Sequence, residues 1–111
     1  MKIERQRVGT VDVLTPAGPL VDQDGEKFMA VVMDRLGSTS PRVVLSMQEV
    51  PYMDSVALEG LLMATEKLNE QATALKLANL TPTCREILEL TGLAGRFRLF
   101  KDVSDAVKSF L

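Results

Sequence analysis

The sequence predicts an α/β fold, a single compact domain with a mixed β-sheet and packed amphipathic helices. Three observations predict it. Short β-branched or alternating apolar runs recur along the chain. Segments with apolar residues at helical spacing follow most of them. Glycine, proline and capping residues mark the joins. Strands that alternate with helices close onto a largely parallel sheet through right-handed crossovers, and a hairpin at the start adds an antiparallel part. The 111 residues fit one domain spanning 1–111, long enough to bury a core without staples.

Each element has its own signal. "KIERQRVG" and "VDVLTPAGPL" are short strands separated at Gly9-Thr10, a hairpin pattern. "DQDGEKFMAVVMDRLG" is a helix with Phe28, Val31, Val32 and Leu36 at helical spacing, Asp22 or Asp24 as its N-cap and Gly37 as its stop. "RVVLSM" has the length and β-branching of a strand buried on both faces. A second helix starts near Asp54, with Leu58, Leu61, Leu62, Thr65 and Leu68 as its inward stripe and Glu59, Glu66, Lys67 and Glu70 largely off it. "TALKLANL" follows as a strand. "TPTCREILELTG" is a helix with two start signals, Thr81 before Pro82 and a Thr83–Glu86 capping box, and Gly92 stands at its C-terminal end. "RLF" is a last short strand, and "DVSDAVKSFL" a terminal helix turning Val103, Val107 and Phe110 inward.

Composition removes whole classes of function. There is no histidine, so histidine-based triads and the usual zinc sites are excluded. The single cysteine, Cys84, fits a reducing compartment and reads as a semi-buried apolar residue, not a reactive thiol. A net charge of −2 argues against a broad nucleic-acid surface, and Arg85, Arg96, Arg98 and Lys101 read as a solvated rim. "DQDGE" lacks the third ligand and the distal glutamate of a calcium loop, and "LTGLAG" ends a helix where a phosphate cradle would open one. No metal and no cofactor are expected. "MKIERQRV" lacks the apolar core of a signal peptide, and no apolar run approaches the ~20 residues of a membrane helix. The expectation is a soluble cytoplasmic protein without membrane insertion.

The most specific feature is the strand-to-helix corner "VPYMDSVALEGLL". Asp54 and Ser55 stand where a helix leaves its first N–H groups unpartnered. Capping is one reading of that pair. The other is a site where a phosphoryl group is tolerated, because a helix start favours anions. Residue physics alone leaves both open.

Three separated stretches carry a resemblance to a known family. "GPLVDQD" precedes the first helix, "RVVLSMQEVPYMDSVALEGLL" spans the corner, and "LKLANLTPTCREILELTGLAGRFRLFKDVSDAV" closes the chain. Together they resemble the STAS domain, named for sulfate transporters and anti-sigma factor antagonists. In small STAS proteins that regulate sigma factors the corner reads approximately Asp-Ser-Ser-Gly-Leu, and an anti-sigma kinase phosphorylates the second serine. Here it is Asp54-Ser55-Val56-Ala57-Leu58, so the acceptor position falls on Val56. The family's frequent aspartate near the end of the preceding strand is replaced by Ser46.

The resemblance implies a non-catalytic regulatory module that binds an anti-sigma factor or kinase through Met53, Asp54, Ser55, Val56, Ala57 and Glu59. Ser55 is the remaining hydroxyl and the alternative phosphoacceptor. Constitutive binding, or a STAS branch without the switch, are the other outcomes. One such branch is the structural subunit that docks on an ABC-transporter ATPase in lipid transport, and another is a stressosome-like scaffold. A weak homodimer is a secondary expectation.

Overall fold

The structure is a computed structural model describing residues 1–111. Its elements run β1 (Lys2–Val8), β2 (Val11–Ala17), α1 (Asp22–Leu36), β3 (Val43–Ser46), α2 (Ser55–Asn69), β4 (Lys76–Ala78), α3 (Pro82–Leu90), β5 (Arg98–Phe100) and α4 (Val103–Lys108). A single 3-10 turn, Ala94–Arg96, precedes β5. The expected order of strands and helices is the observed one. The strands lie in sequence order across one sheet. β1 and β2 are antiparallel, and every later neighbour is parallel. Gly9, at φ +62, supplies the left-handed residue that turns the hairpin.

Strand alternation sends side chains to two apolar layers. Leu14, Leu45 and Leu77 face the larger core, which also takes Phe28, Val32 and Leu36 from α1, Leu61 and Leu68 from α2, and Leu88 from α3. Val11, Val13, Val44 and Ala78 face the other way and meet Ala106 of α4. The apolar run of β3 thus reflects helices on both sides of the sheet, and all four of its residues are buried. Val103, Val107 and Phe110 pack against the smaller layer from α4 and its tail. Leu58 and Leu62 are half-buried flanks of the α2 stripe, alongside buried Leu61, Thr65 and Leu68.

Three local expectations are corrected. α1 is not capped by Asp22 or Asp24: both lie within its first turn, and Val21 precedes it without a side-chain cap. The acceptor instead comes from a distant carboxylate, as described below. The Thr83–Glu86 box is not used, because α3 starts two residues earlier, with Pro82 first and the Thr81 hydroxyl accepting from the Cys84 N–H at 3.4 Å. Thr83 is already helical and exposed. Cys84 is fully, not partly, buried, and its thiol donates to the Val50 carbonyl at 3.3 Å. The expected Gly92 terminator does hold, at φ +75 just past the end of α3. No helix is long and apolar enough to cross a membrane.

Candidate functional site at the start of helix α2

The segment between β3 and α2 is anchored before the helix begins. The Met47 N–H donates to Ala78 in β4, and the Val50 carbonyl accepts from both the Thr81 hydroxyl and the Cys84 thiol. Residues 52–54 then run beside Leu20. The Leu20 N–H donates to the Tyr52 carbonyl, the Asp54 N–H donates to the Leu20 carbonyl, and Leu20 and Met53 form a single parallel bridge. The start of α2 is therefore tied to the residues that lead into α1.

Asp54 completes that tie. One carboxylate oxygen accepts from the Ala57 N–H at 3.0 Å, which caps α2. The other accepts from the Asp22 N–H at 2.9 Å, at the first residue of α1. Asp22 has φ +50, a left-handed conformation that aspartate tolerates. The two bonds stabilise the ionised form, so the Asp54 carboxyl is held below its ordinary value, chiefly by Ala57 and then by Asp22.

The six residues expected at a partner surface divide into two groups. Ser55, Val56 and Glu59 are exposed, and Asp54 is half-buried. Val56 is 45% exposed, high for a branched apolar side chain in a first helical turn. Met53 and Ala57 are corrected: they are 6% and 0% exposed and belong to the core. The bridge to Leu20 turns Met53 inward, and Ala57 lies where α2 meets Gly25 of α1, 3.6 Å from the position a Cβ there would take. Ser55 is not the capping acceptor either, since Asp54 fills that role.

Beside the corner lies a feature that pattern reading missed. A groove of about 320 Å³ runs between α1 and α2, lined by Met29, Ala30, Met33, Val56 and Met63 over Gly25 and Gly60. A Cβ on Gly60 would sit 2.5 Å from Met29 Cγ, so the helices approach closely because this residue has none. The charges lining the groove, Glu26 and Glu59, are both negative. Glycines on facing helices with methionines a turn away were the available signal. Methionine suits a surface that must adapt to what it touches.

No three His, Cys, Asp or Glu side chains converge to hold a metal ion. Burial raises the pKa of the Cys84 thiol, which works against its nucleophilic use. Ser46 is buried, with its hydroxyl accepting from the Asn79 amide at 3.4 Å.

The corner exposes Tyr52 and Val56 at the carboxyl end of a mixed sheet with helices on both faces. The STAS domain model matches residues 2–106, and the chain belongs to the STAS domain family. Among its relatives is BtrV of Bordetella bronchiseptica, provisionally named as an anti-sigma factor antagonist, 23% identical over 110 residues covering 99% of this chain and 95% of BtrV. A Thermotoga maritima structure with a similarly provisional name superposes with TM-score 0.87 at 19% identity, covering 96% of this chain and 92% of that one. The anti-sigma factor antagonist SpoIIAA in its unphosphorylated form gives TM-score 0.78 at 18% identity, covering 98% and 96%.

Proposed function

We propose that this chain is a non-catalytic regulatory module of the anti-sigma factor antagonist kind. It binds a protein partner, an anti-sigma factor or kinase, through Val56, Ser55 and Glu59 at the start of α2. The observation that carries the reading is Val56: an exposed valine stands where the family's corner places a phosphoacceptor serine. Valine accepts no phosphate, so the complex is not released by modification at that position. The site sits within one STAS domain spanning 1–111.

The same observation favours a second reading, constitutive docking as the structural subunit of an ABC-transporter ATPase. Both readings use the same face. A permanently apolar anchor beside a methionine groove suits a lasting contact, and the acids at 26 and 59 suit a partner with basic residues around its own apolar contact.

Capture from the native cytoplasm tests the proposal. Wild-type protein and Val56→Asp serve as baits, and mass spectrometry identifies what each retains. A charge at the centre of such an interface weakens binding by ~2 kcal/mol or more. Wild type should retain an anti-sigma factor or kinase that the variant loses, with an unchanged melting temperature. Retention of a transporter ATPase instead selects the second reading. Equal retention by both baits would remove Val56 from the interface.

A further inference from the structure

A second polar site lies away from the α2 corner, where the strands enter the sheet. Lys76 opens β4 and points to the α4 side of the sheet, yet it is only 4% exposed. Its ammonium donates to the Ser109 hydroxyl at 2.7 Å and lies 3.4 Å from the centroid of the Phe110 ring. The Arg42 guanidinium lies 6.0 Å from that same centroid. On the adjacent strand, Arg98 is the register partner of Lys76. No carboxylate is within ion-pair distance of Lys76 or Arg42.

A buried ammonium is ordinarily matched by a negative partner, because removing a charge from water is costly. Here one hydroxyl and one aromatic face are all the chain supplies, and two further cations stand nearby. Burial first, then Arg98 and Arg42, lower the pKa of Lys76, as expected of a cation lacking a counter-charge.

The space beside Lys76 is a cleft of about 250 Å³, lined also by Ser40, Arg42, Gln71, Thr73 and Phe110. Its charged side chains are both cationic, and its remaining polar groups offer hydroxyl and amide donors. Lys76 has two N–H bonds left after Ser109. Arg42 donates to the Thr10 hydroxyl at 3.0 Å through one of its nitrogens and keeps other N–H groups free. Several donors converging from three separate segments match an oxyanion with several acceptor atoms.

We infer that this cleft binds a phosphate group, either inorganic phosphate or a monoester on a small molecule. The ammonium and guanidinium supply the counter-charge, Ser40 and Thr73 complete the donor set, and the Phe110 ring offers a face to an organic substituent. A purely structural Lys76 would instead tie the end of α4 to the sheet and leave the cleft indifferent to anions.

Nitrogen-15 NMR on the whole chain tests this at neutral pH, with chloride held low and constant to limit screening. Inorganic phosphate is titrated first, then phenyl phosphate. The expected result is one-to-one saturation with shifts confined to residues 40–42, 71–76 and 109–110. Arg42→Gln, at an exposed residue whose replacement leaves the core intact, should weaken binding by roughly tenfold or more. Val56→Asp should leave it unchanged, which separates this site from the α2 corner. Saturation by both probes supports inorganic phosphate as ligand, and saturation by phenyl phosphate alone supports a monoester. Linear shifts with both probes, or equal affinity in Arg42→Gln, would overturn the inference.

Discussion

Thr65 offers a quantitative test of how α2 is joined to the strands beyond it. It is fully buried in the middle of the helix. Its hydroxyl donates to the Arg96 carbonyl at 2.9 Å and accepts from the Leu75 N–H at 3.0 Å. One side chain thus links α2, the entry to β4 and the turn before β5. Thr65→Val keeps the shape and opens no cavity, so the loss is that of the two hydrogen bonds. The Leu75 N–H, buried and without another acceptor, costs ~1–3 kcal/mol when left unpaired. The Arg96 carbonyl is only part-buried and can turn to water, which adds up to ~1 kcal/mol. The sum runs from about 1 to 4 kcal/mol, centred near ~2.5, a large share of the ~5–15 kcal/mol that holds such a domain folded. Urea unfolding followed by circular dichroism reads it directly. At a slope of about 1.5 kcal/mol per molar, the midpoint should fall by roughly 1.5 M with the slope unchanged. Thr65→Ser keeps the hydroxyl, loses one methyl, and should cost only ~1 kcal/mol. A valine cost under ~0.5 kcal/mol, or a serine cost equal to it, would show that the hydroxyl does not join these elements.

Other perturbations give equally direct readouts. Leu61→Ala empties a fully buried position facing the sheet and should cost ~2–5 kcal/mol in the same assay; a loss below half of ~1 kcal/mol would take Leu61 out of the core. Because the folded-state pKa of Asp54 is lowered, its ionised carboxylate contributes stability above the unfolded value, and that contribution is lost as pH falls through the folded one. Asp54→Asn should therefore be less stable than wild type at neutral pH, with the gap closing in acid; a gap independent of pH would refute the role of the charge. Under an anti-sigma kinase and ATP the wild type should stay largely unphosphorylated, while Val56→Ser gains one phosphate. Buried Ala57 lies off the surface, so the single change should suffice. Intact-mass spectrometry decides, and stoichiometric phosphate on Ser55 of the wild type would contradict the claim.

The element order was legible because each element has a local cause. The β-branched run of β3, the leucine stripe of α2 and the Thr81-Pro82 start of α3 are patterns within a dozen residues. Apart from the Thr83–Glu86 box, displaced by the neighbouring Thr81 cap, the failures concern distant partners. Asp22 and Asp24 have the composition of a cap, yet the carboxylate serving α1 belongs to Asp54, which reaches Asp22 only after β3 has crossed the sheet. Met53 and Ala57 share a short motif with Val56, and only the bridge to Leu20 and the approach of Gly25 turn them inward. Thr65 was readable as part of the inward stripe, whereas its hydrogen-bond partners were not. Lys76 sits in an apolar strand pattern, and nothing local announces a buried ammonium there. The exposed Val56 was legible as a departure from the family's corner, but the groove beside it needed two helices brought together.

Because a single carboxylate holds the first turns of both α1 and α2, the two helix starts cannot reorient independently. On the proposed function, a partner would meet two helix starts already fixed relative to each other and would spend little free energy on ordering them. Recognition at this corner should behave as docking onto a rigid plate: encounter rates vary modestly among variants, and lifetimes of the complex carry most of the difference. Loosening the Asp54 tie would shorten the life of such a complex even where every contacting side chain is retained.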